Sequence, residues 1–349
     1  MKKISIILLT TANLLTTRIH AQATWDTTRY VKYSDRFILS SFVSTRRFNC
    51  AIDQTRTEAD SGKAQLDYNA EANTVTGFQI NYDKISLSLG WNSGSPDVRT
   101  KGKTEYRDLA LAIGENKWII DGSLRSYKGF YDGNSAKYIN DFKENDPFIQ
   151  APGMEIRQMR ARYRYFTNHE NFAYSAGYGY TCRQLKSAYS WVLGGGMVNN
   201  RVSTDTGFFH PALRNWYESD SILKQVEMTG VFFGGGLSAN LVVFKRLFMN
   251  FTFNLYIEPQ WRKYKNLDNT QFSKYKTSVS TDSRISFGYN GKRFFYFING
   301  MVDFNKMNYE KLTLATRFIS GSANIGYRFK AKCPRFYSKF KETWIYKKM

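Results

Sequence analysis

The sequence predicts an all-β fold, a transmembrane antiparallel β-barrel of about 12–14 strands. Three observations predict it. The chain opens like an exported protein. Apolar and polar residues alternate with period two through most of its length. Aromatics make up 17% of the residues, against 6 prolines.

The leader comes first. Met1-Lys2-Lys3 precedes an apolar run from Ile4 to Leu15, and small residues follow at Ala21 and Ala23. This is the order of a secretory signal, with cleavage expected near Ala21 or Ala23. The run is too short to span a bilayer as a helix, and no cysteine stands at the cleavage site to carry a lipid. The expected organisation is a signal peptide (1–23), a periplasmic segment (24–36), an outer-membrane barrel (37–329) and a basic, aromatic tail (330–349).

Lys and Arg number 50 and Asp and Glu 29, a net charge of +21. Basic chains bind nucleic acid or anionic lipid head groups. Export removes the first from its usual compartment, so the expected partners are outer-membrane lipids and lipopolysaccharide. Mean hydropathy is −0.49, which a barrel tolerates because alternate strand residues face a polar lumen. Cys50, Cys182 and Cys333 are too few and too widely spaced for a disulfide framework or a zinc site. Past the leader only His169 and His210 remain, so a histidine-rich metal site is hard to build, carboxylate sites stay open, and no cofactor or metal is expected.

The clearest strand begins at Leu247. Leu247, Met249, Phe251, Phe253, Leu255 and Ile257 form one face, with Asn250, Thr252, Asn254 and Glu258 on the other. The same sorting recurs in Phe294–Phe304, Ile285–Tyr289, Trp118–Arg125, Met159–Tyr165 and Phe172–Arg183. Candidate strands lie near 37–53, 64–70, 74–82, 84–92, 103–113, 116–130, 155–166, 171–183, 187–200, 227–243, 247–262, 278–289, 293–305 and 314–329. Most reach 10 residues or so, longer than the strands of a soluble sandwich (about 5–6). Lys245 and Arg246 interrupt the most apolar stretch, where each would cost roughly 3 kcal/mol in a spanning helix. In a hairpin they occupy the turn. Loops are expected at 131–154, 201–226 and 263–277. Counted back from the C-terminus, the last two fall outside and the first inside. Long loops belong outside, so one strand of the first half is miscounted. The 64–92 region, with its very short connections, is the suspect.

Several segments resemble the domain of unknown function family forty-four twenty-one, a group of Bacteroidetes outer-membrane barrels. They are Trp25-Asp26-Thr27-Thr28, Tyr33-Ser34-Asp35-Arg36-Phe37, Gly102-Lys103-Thr104 with Asp108-Leu109, Ser126-Tyr127-Lys128-Gly129-Phe130-Tyr131, and Tyr165-Phe166-Thr167-Asn168 with Asn171-Phe172-Ala173-Tyr174-Ser175. Tyr189, where the family pattern has glycine, and the tail after Phe329 depart from it. The resemblance implies a barrel in the outer membrane and no particular activity.

The chemistry is sparse. Gly102-Lys103-Thr104 resembles the end of a phosphate loop, but Asp97 stands where the loop needs its first glycine. It reads better as a turn entering a strand. Arg160, Arg162 and Arg164, with Arg183 on the next strand, form the densest basic cluster. On the lipid face each would cost roughly 2–4 kcal/mol, so they face inward. There they either pair with acids such as Asp121, Asp108 and Glu258 or line an anion site. Ala323, Ile325, Tyr327 and Phe329 end the last strand in aromatics, as the signal for a barrel-assembly machinery does. Phe336, Phe340 and Trp344 then fall four apart. They suit a membrane-surface helix, or the tail is disordered. The expected function is a non-enzymatic channel or a structural or interaction element with an arginine-rich lumen. The alternative is a barrel-embedded lipid-modifying enzyme of lipase or deacylase type. The residues identify neither a small-molecule nor an anion substrate.

Overall fold

The computed structural model describes residues 25–54, 65–94, 98–139, 141–143, 145–211, 221–244, 246–309, 312–344 and 346. The signal-peptide expectation for residues 1–23 lies outside them. Twelve strands close into one antiparallel barrel. In the first half of the wall stand β2 (Arg36–Gln54), β3 (Leu66–Tyr82), β4 (Ile85–Gly94), β5 (Glu105–Gly114), β6 (Trp118–Asp132) and β7 (Ile149–Phe166). The second half holds β9 (Ala188–Ser203), β10 (Leu223–Val243), β11 (Leu247–Asn266), β12 (Gln271–Asn290), β13 (Phe294–Tyr309) and β14 (Leu312–Lys330). β14 pairs with β2 to close the ring. Two short strands, β1 (Tyr30–Lys32) and β8 (Cys182–Gln184), pair apart from the wall.

Two sequence expectations are corrected. The expected strands 64–70 and 74–82 are joined in one strand, β3, which carries a bulge where Ala72–Val75 faces Ser44–Arg46 of β2. The stretch 171–183 is not a wall strand. It holds a short 3-10 turn at Tyr174–Ala176 and then β8. Removing 171–183 from the wall corrects the parity of the long loops, and joining 64–70 to 74–82 keeps the number of wall strands even. Turns 83–84, 115–117 and 291–293 gather at one end, with the start of β2 and the end of β14. At the other end β4, β6 and β9 finish and β5, β7 and β10 begin, so the longer connections leave and enter the wall there. Residues 263–277 are a third correction. β11 and β12 run through them and leave only 267–270 as a turn. Those positions are polar because the hairpin rises above the apolar band, not because the strand stops.

The wall presents a continuous apolar face outward and buries many polar residues inward, such as Asn250, Thr252 and Asn254 of β11, the arrangement of a membrane-spanning barrel. Phe253 and Leu255 are 41% and 48% exposed, while Asn254 between them is 0%. Along β11 the outward apolar face runs from Leu247 to Ile257. At about 3.3 Å per residue and a tilt near 40°, it spans roughly 25 Å of height. Trp261 and Tyr275 pair edge to face above it, followed by Lys263.

The interior is filled. Toward the long-loop end, Phe48, Tyr68, Phe130, Ile156, Val202 and Phe232 belong to one buried apolar cluster. Phe208 and Phe209 enter it from the β9–β10 connection. At the turn end the segment 167–187 folds back inside as a plug and pairs with the N-terminal strand β1.

Candidate functional site

Residues 167–187 and the inward side chains around them make the site. In the wall, an inward polar residue would ordinarily meet water. Here these residues meet the plug backbone. Asn240 Nδ2 donates to Ala173 O (3.0 Å), Asn290 Nδ2 to Ala176 O (3.1 Å), Ser286 Oγ to Gly177 O (3.1 Å) and Gln79 Nε2 to Tyr178 O (3.1 Å). Arg328 reaches from the last strand and donates to Tyr180 O (2.8 Å), Gly291 O (2.6 Å) and Asn290 Oδ1 (2.8 Å). Tyr180 stacks on Phe295 and Phe297. The bonds to Ala176, Gly177, Tyr178 and Tyr180 each satisfy a carbonyl of the folded-in loop.

Above the plug lies the arginine row. Arg162 and Arg164 point inward from β7 and are 5% and 2% exposed, whereas Met159 and Tyr163 point out at 53% and 44%. Asp121 on the neighbouring β6 takes Arg162 Nη2 at 2.7 Å and Arg164 Nη2 at 2.7 Å. Across the lumen Asp282 of β12 pairs with Arg162 and, at 3.0 Å, with Arg284. Tyr174 of the plug accepts from Arg164 Nη1 at 2.7 Å. Arg160, one step nearer the loop end, lies over the ring of Phe232 at 4.7 Å. A second layer joins Arg46 to Asp108 and Arg125 to Asp108 and Asp303.

The structure brings together Arg160, Arg162 and Arg164 and leaves Arg183 out. Arg183 sits in β8 opposite Val31, because the stretch that carries it belongs to the plug. Of the acids expected to face the row, Asp121 pairs with it and Asp108 pairs with other arginines. Glu258 accepts from Gln260 and Asn305 instead. Asp282 was missed, since it meets Arg162 across the lumen rather than across a strand pair. Its inward place on β12, with Arg284 two residues on, was the available signal. Two glycines of β9 also have a role here. Gly194 and Gly196 lie opposite Arg164 and Arg162 in register. A Cβ at Gly196 would stand 2.8 Å from Phe232 Cζ, and one at Gly194 3.4 Å from Arg164 Cγ. Their missing side chains make room for the row.

Little open space is left. A cavity of about 210 Å³ lies between the plug and β3–β6, beside Ser86, Asp121, Arg164 and Tyr178. Farther along the axis, a space of about 20 Å³ remains between Arg160, Glu258 and Phe318. Among the described residues, no group of three His, Cys, Asp or Glu side chains is placed to hold a metal. His169 leads into the plug. Its carbonyl accepts from Tyr30 (2.9 Å), and its Nδ1 is buried without a partner. His210 lies in the β9–β10 connection beside Phe209. Gly102–Thr104 leads from a short helix, α1 (Val98–Lys101), into β5, a turn entering a strand.

The tail after Lys330 is described through Trp344 and at Tyr346. Arg335–Glu342 form helix α2, which docks on the β3–β4 turn. Asp83 in that turn is 3% exposed and accepts from Tyr337 (3.2 Å) and Tyr346, with Lys341 Nζ at 3.3 Å. Burial beside this carboxylate pushes both phenol pKa values above their usual range, so both remain donors. Tyr82 packs edge to face on Tyr337 at 4.9 Å. Asp83 has a positive φ of 51°, which asparagine also adopts readily. Asp83→Asn therefore keeps the turn and removes the charge. It is expected to free the tail for cleavage after Lys330 or Lys332 in limited proteolysis, with the barrel intact. Unchanged protection would show that the clasp does not hold the tail.

Fold and site define a membrane-type β-barrel closed by its own plug. The chain belongs to the family described as Domain of unknown function (DUF4421), which matches residues 24–329. No curated protein matches the chain. Among solved structures it is similar to the outer-membrane protease OmpT of Escherichia coli, at 8% identity and TM-score 0.40, over 86% of this chain and 98% of that one. It is also similar to the translocator domain of the autotransporter NalP of Neisseria meningitidis, at 9% identity and TM-score 0.33, over 83% and 88%. A third likeness is the toluene transporter TodX of P. putida, at 7% identity and TM-score 0.24, over 85% and 91%.

Proposed function

We propose that the protein is a non-conducting outer-membrane barrel, a structural or interaction element rather than a passive channel. The observation that carries this reading is the occupied lumen. The plug at the turn end, the ion-paired layer and the apolar cluster follow one another along the axis. Ion flow needs a continuous wet path, and Arg162 and Arg164 are bound to carboxylates rather than offered to passing anions. The apolar outer face, the leader-like N-terminus and the aromatic end of β14 support export, delivery to a barrel-assembly machinery and residence in the outer membrane. The long connections then lie outside, and α2 lies in the periplasm. The test is planar-bilayer recording of the purified protein. No current steps are expected at any voltage that the bilayer survives. Stable unitary conductance in the wild type would overturn the reading and return the arginine row to an anion path.

A further inference from the structure

We propose that the outer wall of β4–β7 carries a binding site for one phosphate-bearing lipid of the outer leaflet, the lipid A moiety of lipopolysaccharide. The inference rests on the barrel lying in the outer membrane. A groove of about 640 Å³ runs over the lipid-facing side of these strands. Leu89, Trp91, Leu109, Leu124 and Met159 line it, each between 39% and 53% exposed. Two arginines, Arg107 and Arg157, stand at one end of it.

Strand register explains the arrangement. Leu109, Leu124 and Met159 form one rung across β5, β6 and β7. Arg107, Ser126 and Arg157 form the next rung toward the loops, about 7 Å higher along the strands. The two arginines are two strands apart, about 10 Å. The apolar floor thus lies toward the membrane centre, and the guanidiniums lie where that leaflet's head groups begin. An acyl chain on the floor places its phosphate between the two arginines.

The two arginines differ in what already holds them. Arg157 keeps Glu155 at 2.6 Å and is 67% exposed. Arg107 is exposed and has no hydrogen-bond or ionic partner among the described residues. An unpaired guanidinium at the edge of an apolar groove suits an anionic amphiphile and no neutral one. Short strands build the recess. β4 ends at Gly94 and β5 begins at Glu105, and beyond them β3 pairs directly with β6 through Tyr68–Asp132 and Asn69–Tyr131.

The experiment measures lipid retained by the folded, detergent-purified protein, by native mass spectrometry. The probes are lipid A, its dephosphorylated form and phosphatidylglycerol. Arg107→Ala/Arg157→Ala is expected to weaken lipid A binding about 30-fold, since a basic residue near an anionic head group contributes roughly fivefold. It should leave the dephosphorylated lipid unchanged. Leu109→Trp fills the groove and should weaken both. Lys306→Ala/Arg317→Ala removes two exposed basic residues from β13 and β14 and should change nothing. Equal loss in that control pair would reveal a diffuse basic belt and overturn the site. So would full binding in the Arg107/Arg157 variant. Phosphatidylglycerol bound as tightly as lipid A would overturn the choice of occupant. None of these outcomes bears on conductance, so failure here is separable from failure of the closed-barrel reading.

Discussion

Asp282→Asn is expected to destabilise the barrel by roughly 3–5 kcal/mol, more than Arg162→Met at the centre of the same cluster. The ion-paired layer contains the guanidiniums of Arg162, Arg164 and Arg284 and the carboxylates of Asp121 and Asp282. Removing Asp282 leaves three guanidiniums with one carboxylate in a site where Arg162 and Arg164 are 5% and 2% exposed. Removing Arg162 leaves two pairs, Arg164 with Asp121 and Arg284 with Asp282. The remaining cost is the lost hydrogen bonds, about 2 kcal/mol. The measurement is the urea midpoint of vesicle-embedded protein, or the temperature at which the folded band is lost on a gel. A barrel that loses more stability with Arg162→Met than with Asp282→Asn would sink the charge-balance account. It would then favour a geometric role for Arg162, the one residue that bridges both acids.

The wall was legible in the sequence because one physical constraint acts at every second residue. Hydrocarbon outside and packed polar groups inside sort Phe253 from Asn254 and Met159 from Arg160. The plug was not legible for the same reason. In Phe172–Thr181, large aromatics at Phe172, Tyr174, Tyr178 and Tyr180 alternate with small residues such as Ala173, Ser175, Gly177 and Gly179. That pattern imitates a lipid face over a lumen face. In the folded chain Phe172, Ala173, Tyr174, Ser175 and Ala176 are all buried, because the segment is surrounded by barrel. A local period cannot distinguish one buried face from two. Chain parity carried the warning, since counting 171–183 as a strand put 131–154 at the wrong end. Within the site, Asp121 could be paired with the row because β6 and β7 are neighbours in sequence. Asp282 could not, because contacts across a lumen leave no spacing to read.

Arginine substitutions along the outer face of β11 should show a cost that depends on depth. The face runs Leu247, Met249, Phe251, Phe253, Leu255, Ile257, Pro259, Trp261 and then Lys263, with Phe253 near its middle. A barrel in a bilayer penalises an outward arginine by roughly 2–4 kcal/mol at the midplane and about 0–1 near the interface. Phe253→Arg is therefore expected to lower stability most and to leave much of the protein unassembled. Ile257→Arg should be intermediate. Trp261→Arg should lose little beyond the ring contact with Tyr275, because Lys263 already marks the water side. All three side chains point away from the filled interior, so none alters the plug or the ion-paired layer. Inward arginines make a poor control, because Asn254 is fully buried and a larger side chain there would overpack the lumen. The depth series is read as the fraction folded into vesicles and as the unfolding midpoint of what folds. Equal losses at Phe253 and Trp261 would mean that no hydrocarbon gradient lies against this face, and the membrane placement of the barrel would fall with it.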